Sequence, residues 1–537
     1  MQGSRYSSTL EVIALAICIG GKLFQRLPAF RHVFLNLNWI PAYAGMTPPS
    51  LGSYGGQALL RPSRLPASSG CIQSRNDWDY AGQVAGQASK PGVLLLRIKA
   101  FDSIKIIFHY VSGIFKILSA AGFMLIYNFI SFAGIFGLMF IAWLCSANRR
   151  LLNWRVIFWG TVLQLIFAAL VFWAPGSRSL FQWLNDAVLK LLSASEAGQK
   201  FVFGALGTGE TNLGFILAFQ ALPIIIFFSA LMGLLYYWGI MPRVIRVFAW
   251  LFTRLMRVSG AESLCTASNI FVGIESLTSI RPYLVRMTRS EYCTILTAGM
   301  ATVASSTMGI YVLFLKDIFP GIAGHLISAS ILSAPAALVM SKIIFPESEQ
   351  PETLGEHVKI SPSDDAGAMD AIVNGAMAGL KLVGGVIALL IAFLGMLALA
   401  DMMLGWLSGK FGLAFSLTGL LGRVFMPFAL LIGVPPEDAS FAGNLLGMRL
   451  VATEVPAYKE LAVAMAAGKL MHPRSAVIIA YALCGFAHIA SLAIFVGGTV
   501  AMAPERRKDI VAVGFRALAA ATLACLMTAA VAGVFCR

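Results

Sequence analysis

From Tyr127 to the C-terminus the chain is a succession of apolar segments, each about as long as a bilayer is thick, and that pattern removes most water-soluble architectures. A hydrocarbon core of about 30 Å takes about 20 helical residues. Segments of that kind fall at about 127–147, 156–174, 212–240, 291–315, 321–344, 370–402, 475–502 and 509–535. Composition agrees. Of the 537 residues 58% are hydrophobic and 12% charged, against about 45–50% and about 25% in soluble domains. One core cannot hide that much apolar surface from water, so lipid is the solvent for much of it. The third segment contains Pro223, which implies a kink rather than a break, because neighbouring helices can satisfy the freed carbonyl.

The net charge of +15 reads as loop charge rather than as a nucleic-acid footprint, since no long lysine–arginine run occurs. Arg149, Arg150 and Arg155 lie between spans one and two, Arg243, Arg246, Arg254 and Arg257 after span three, Arg286 and Arg289 before span four, and Arg506, Arg507 and Lys508 between spans seven and eight. Placing all four loops in the cytoplasm gives a consistent alternation with both termini outside. The cysteines are scattered through apolar segments without a Cys-x-x-Cys, the histidines form no i, i+4 pair, and no Gly-x-x-x-x-Gly-Lys-Ser/Thr loop is present. The chain has no nucleotide-hydrolysis loop of its own, so work against a gradient needs an ion gradient or another subunit.

Residues 1–92 differ from the rest. Their apolar runs, such as Val12–Gly20, are too short to span, and they alternate with Pro-, Ser- and Gly-rich stretches. The string from Trp39 to Thr47 resembles a translated repetitive element of bacterial genomes. This extension is expected to be poorly ordered or an artefact of a misplaced start. Residues 93–126 read as an amphipathic helix at the membrane surface, with Lys99, Lys105 and Lys116 among isoleucines and phenylalanines. Residues 346–369 read as an acidic, disordered linker.

Two further stretches are apolar yet carry polar residues in their middles: Ala261–Val285 and Glu437–Ala467. Each fits two half-length helices joined by a tight turn, a re-entrant hairpin that exposes helix ends and unpaired backbone groups. The first follows an amphipathic helix (Pro242–Ser259) and precedes spans four and five. The second follows an amphipathic stretch at about 403–434 and precedes spans seven and eight. Span six separates the halves and makes the repeat an inverted one, which puts a binding site at the interface. Glu275 and Glu454, carboxylates in apolar settings, are site candidates by default. The alternative is a pair of structural glutamates held by Arg281 and Arg449.

These residues resemble the concentrative nucleoside transporter family over roughly residues 130–535. The most specific part is Ala261-Glu-Ser, followed by Ala267-Ser-Asn-Ile-Phe-Val-Gly273. Leu222–Leu231, Gly299–Ala304 and Ala480–Ala487 are similar to the family's third, fourth and seventh spans. The resemblance implies an all-α integral membrane protein of about eight transmembrane helices plus two re-entrant hairpins. It divides into scaffold (127–260 and 370–434) and transport repeats (261–345 and 435–537), assembled as a homotrimer in a bacterial inner membrane. It implies import of nucleosides coupled to Na+, with protons as the alternative ion. A sodium ion would be held by the Asn269 side chain, the Val272 carbonyl, the Thr302 hydroxyl and the Val303 carbonyl. The substrate would meet Glu275 and Ile274 at the first hairpin tip, Thr453 and Glu454 in the second hairpin, and His488 and Ser491 in span seven. The tip Gly273-Ile-Glu-Ser-Leu277 is one residue shorter than the family's, and His488 replaces an asparagine. A non-nucleoside polar solute on the same fold is therefore a second expectation, and a membrane enzyme or receptor a third.

Overall fold

A computed structural model describes residues 124–174, 176–208, 214–356, 358, 365–409 and 416–536. The extension 1–92 and nearly all of the expected surface helix 93–126 lie outside the described residues. The described part is helical, a multi-pass membrane architecture. Seven of its helical stretches, Leu217–Tyr237 and Arg289–Leu315 each counted as one despite a break, are long and apolar enough to cross a membrane. The eighth expected crossing, 475–502, is present as two shorter helices, Pro473–Leu483 and Ile489–Met502.

The helices are α1 (Met124–Leu144), α2 (Trp154–Trp173), α3 (Ser177–Phe203), α4 (Pro223–Tyr237), α5 (Ile240–Met256), α6 (Gly260–Asn269), α7 (Arg289–Ala301), α8 (Ser305–Leu315), α9 (Ile322–Ile344), α10 (Ala368–Gly409), α11 (Leu417–Leu431), α12 (Pro436–Ala452), α13 (Glu454–Ala466), α14 (Pro473–Leu483), α15 (Ile489–Met502) and α16 (Arg507–Phe535). Two short helices, Ala205–Thr208 and Leu217–Gln220, precede α4. The chain turns at Ala221–Leu222 before α4 restarts at Pro223, so the expected kink is an interruption.

The same unit occurs twice. In the first, α6 and a 3-10 helix, Ile274–Arg286, form a hairpin. The broken helix α7/α8 follows, and then the long helix α9. In the second, α12 and α13 form the hairpin, α14/α15 the broken helix and α16 the long one. The long helix α10 stands between the units, as the sequence places span six. Local chemistry starts each piece where it does. Ser259 and Thr288 close capping boxes with Glu262 and Glu291 at the starts of α6 and α7. Pro436 and Pro473 open α12 and α14 at a position whose N–H needs no partner.

Burial separates the repeats from their surroundings. The most apolar 18-residue windows of α7/α8, α9 and α16 are each 83% buried, against 22%, 33% and 11% for α1, α2 and α10. The repeats therefore form the interior and the other spans its wrapping. α10 touches α4 through glycines: a Cβ on Gly233 would lie 2.6 Å from the Ala371 carbonyl oxygen, and one on Gly375 2.6 Å from that of Ser229. Such backbone-to-backbone approach is how helices associate where lipid removes the hydrophobic drive.

Three expectations need correction. The first hairpin's second arm is a 3-10 helix with Pro282 inside it, because proline lacks the N–H of an α-helical ladder. The expected amphipathic stretch 403–434 is divided between two elements: 403–409 end α10, and α11 packs as an apolar helix along α12. Residues 346–356 are not a loose linker. Thr353 is buried, accepting from Gly260 N–H through its carbonyl (2.8 Å) and from Ala261 N–H through its hydroxyl (3.2 Å), while that hydroxyl meets Ser259 Oγ at 2.8 Å. Glu352 pairs with Arg286. This segment straps the base of the first hairpin.

Candidate functional site

The two hairpin tips and the two broken helices converge. A Cβ on Gly485, in the break of α14/α15, would lie 2.7 Å from the Ala301 carbonyl oxygen at the break of α7/α8. Beside this crossing is a cavity with about 760 Å³ of free space, its mouth included. Ile274 and Glu275 line it from the first hairpin, Thr453 and Glu454 from the second, and His488 and Ser491 from the start of α15. All six residues that the sequence marks for substrate are thus brought to one space. Apart from Thr307, the side chains of the remaining wall are apolar, Ile225, Leu382, Val386, Phe486, Ile494 and Phe495 among them.

Glu454 is the first residue of α13, 4% exposed. Thr453 before it has φ +85° and ψ 171°, a region β-branched residues rarely enter, and this turn points the start of α13 at the cavity. The Tyr311 hydroxyl donates to Glu454 Oε1 at 2.7 Å, and the Tyr311 ring stacks on Tyr458 with centroids 4.4 Å apart. His488 caps α15: its Nδ1 accepts the Ser491 backbone N–H at 3.1 Å. The proton of a neutral imidazole then sits on Nε2, 2.7 Å from Ser491 Oγ and 2.9 Å from Glu454 Oε2. One N–H cannot point at both. Among the described residues Glu454 Oε2 has no aligned donor, and Thr453 Oγ1 is likewise buried without a partner. Neither glutamate is paired with the arginine that a structural role would require. Among the described residues Glu454 faces His488 and Tyr311 rather than Arg449, and Glu275 is exposed on the cavity wall without an ion pair to Arg281.

The four ion candidates lie on two segments packed against each other, the end of α6 with its following turn and the break of α7/α8. α6 is buried along its whole length although it is rich in small polar residues. At its end Asn269 donates through Nδ2 to the Cys265 carbonyl (3.0 Å), leaving Oδ1 buried and unpartnered. Ser305 N–H donates to the Phe271 carbonyl at 3.0 Å. The Ser330 hydroxyl reaches the carbonyls of Ile270 (2.7 Å) and Val303 (3.4 Å). The turn 270–273, which contains Val272, is thereby held against the break 302–304. Thr302 Oγ1 donates to the Ala298 carbonyl at 2.8 Å, which leaves its lone pairs for a cation. The donor set is all oxygen, as a hard monovalent ion requires.

Val272, Gly273 and Glu275 also line an adjoining cavity, walled by Ser229, Met232, Gly233 and Tyr236 of α4 and by Gly375 and Ala378 of α10. It leads away from the substrate space between the first hairpin and the wrapping helices. Sequence reasoning did not single out Tyr311 or the phenylalanines of the wall. Tyr311 had one signal, a phenol inside an otherwise apolar span, and such residues usually find a buried partner.

Comparison with known proteins follows the same lines. Models described as Na+ dependent nucleoside transporter N-terminus, nucleoside recognition (Gate) and Na+ dependent nucleoside transporter C-terminus match residues 133–206, 218–317 and 325–533. Solute carrier family 28 member 3 of Mus musculus is 37% identical over 425 residues, 76% of this chain and 59% of that protein. Sodium/nucleoside cotransporter 1 of Mus musculus is 38% identical over 75% of the chain and 63% of its own length. An uncharacterized transporter of Haemophilus influenzae is 38% identical over 75% of the chain and 97% of its own length. The chain thus spans about three-fifths of the first curated relatives it matches. Among solved structures, CNTnw in an inward-facing substrate-bound state superimposes with TM-score 0.69 at 34% identity, covering 76% of this chain and 99% of that one. A variant of it in an intermediate state gives 0.70 at the same identity, covering 76% and 100%.

Proposed function

Because the chain belongs to the family of Na+-dependent nucleoside transporters, we propose that it imports nucleosides by Na+ symport across a bacterial inner membrane, as a homotrimer. The observation that carries this reading is the convergence of Thr453, Glu454, His488 and Ser491 on one cavity, with Glu454 Oε2 and Thr453 Oγ1 buried and without an aligned hydrogen-bond partner among the described residues. Vicinal ribose hydroxyls donate to the carboxylate and accept from Ser491 and His488. The base lies among Ile274, Phe486, Phe495 and their neighbours, a wall suited to a flat heterocycle and tolerant of its identity. The bacterial membrane is supported by the Haemophilus relative, which this chain covers almost end to end.

Sodium travels as cargo. Bound by Asn269, Val272, Thr302 and Val303, it ties the first hairpin's turn to the break of α7/α8 and so fixes Ile274 and Glu275 against the substrate. Binding of the ion thereby prepares the nucleoside site, and the loaded repeats exchange access between the two sides. One cation moving down about 100 mV supplies about 2.3 kcal/mol, enough for accumulation of about 50-fold. Counterflow of labelled uridine and adenosine in proteoliposomes under imposed sodium or proton gradients tests the reading. Uptake that requires sodium and is lost in Glu454→Gln, with membrane insertion unchanged, is the expected result. Uptake that follows a proton gradient alone, or that Glu454→Gln leaves intact, overturns it.

A further inference from the structure

Arg449 lies in the last turn of α12, 0% exposed. It donates through Nη1 to the Ala482 carbonyl and lies against the Cys525 thiol, while Nε and Nη2 have no aligned hydrogen-bond acceptor among the described residues. Among the described residues it pairs with no carboxylate, and it does not line the nucleoside cavity. A guanidinium placed in an apolar interior without a counter-ion is costly, and such residues inside membrane proteins are retained for function.

The twofold construction supplies the reason. In each repeat the first arm of the hairpin ends against the break of its own broken helix. In the first repeat that junction offers an unsatisfied acceptor: Asn269 Oδ1, six residues before Glu275, is buried without a partner among the described residues, and the Ser330 hydroxyl ties the next residue, Ile270, to the Val303 carbonyl. In the second repeat Arg449, five residues before Glu454, holds its positive charge on a carbonyl two residues before Cys484, where α14 unwinds. One junction awaits a cation, and the other contains one. We propose that Arg449 is a built-in cation. Its guanidinium takes, in the second repeat, the place the sodium ion takes in the first, so that the carrier couples each substrate to a single ion. Asn269 and Arg449 are then counterparts, one recruiting charge from solution and one supplying it permanently.

This inference rests on the sodium–nucleoside reading, and the experiment separates the two. Proteoliposomes containing the full chain take up ²²Na+ and labelled uridine together, and the flux ratio is measured. The wild type is expected to carry one sodium per uridine with a hyperbolic sodium dependence. Arg449→Lys, which keeps the charge, is expected to keep that ratio. Arg449→Gln removes the charge and supplies an amide oxygen like that of Asn269. It is expected to raise the ratio to two and to make the sodium dependence sigmoidal. A wild-type ratio of two overturns the assignment of Arg449 while leaving symport intact, and so does a ratio of one in inserted Arg449→Gln. Absence of any sodium-dependent uridine uptake by the wild type overturns both. The wild-type ratio needs no variant to fold.

Discussion

Thr453 carries the site's strain. A threonine at φ +85° costs about 1–3 kcal/mol relative to a relaxed backbone, and the residue sits directly before the carboxylate proposed to bind ribose. Thr453→Gly is expected to raise the melting midpoint of the detergent-solubilised protein. It should also weaken uridine binding about tenfold, because Glu454 gains freedom and a hydroxyl worth about 1 kcal/mol is lost. Thermal shift and scintillation-proximity binding on the same preparation read both effects. Asn269→Ala removes an acceptor that no described residue uses, so its main expected effect is a roughly tenfold rise in the sodium concentration that half-saturates uptake, about 1.4 kcal/mol. Glu454 was legible in the sequence because a carboxylate stands out in apolar surroundings, whereas Thr453, His488 and Ser491 were reached only through the resemblance to the family. Tyr311 was reached by neither route. Its partner is 143 positions away, and its immediate neighbours, Ile310 and Val312, say nothing about a carboxylate.

Hydropathy located most of the elements but missed their interruptions. The apolar character continues through Thr302–Ala304 and Cys484–His488, so the sequence reads as unbroken spans where the chain unwinds. Tertiary packing, which periodicity does not report, breaks them: Gly485 meets both the Ala301 carbonyl and Cys525 Sγ, at 2.7 and 2.6 Å from its would-be Cβ. Gly485→Ala is therefore expected to destabilise the protein by about 1–3 kcal/mol and to lower uptake, seen as a lower melting midpoint together with a reduced maximal rate. The helix α3 was overlooked for a different reason. Its polar residues, from Ser193 to Lys200, hide an amphipathic segment that lies against α9 and α4. The strap was misread because its Pro, Glu and Ser content resembles a disordered linker, while its hydrogen bonds are to the distant base of the first hairpin. Thr353→Ala removes a buried hydroxyl with two partners and is expected to cost about 1–3 kcal/mol, measurable as an earlier thermal transition and faster proteolysis near residue 353.

At the scale of the molecule, the twofold repeat was recognisable because each half pairs a polar hairpin with two apolar spans. The exposed flank of α10 is its counterpart. Ile391, Met396, Met402, Met403 and Trp406 are all at least 63% exposed, a surface that lipid or further copies of the chain must cover. Native mass spectrometry from detergent is expected to give three chains per particle, and Ile391→Arg to shift that population toward single chains; a monomer already in the wild type counts against the trimer. The meeting of Gly485 with Ala301 has one further consequence. Since each unwound segment is the floor on which the other rests, a change of pose in one half is expected to carry the other with it. Transport is therefore expected to move both repeats as one carriage rather than as two leaves that swing independently.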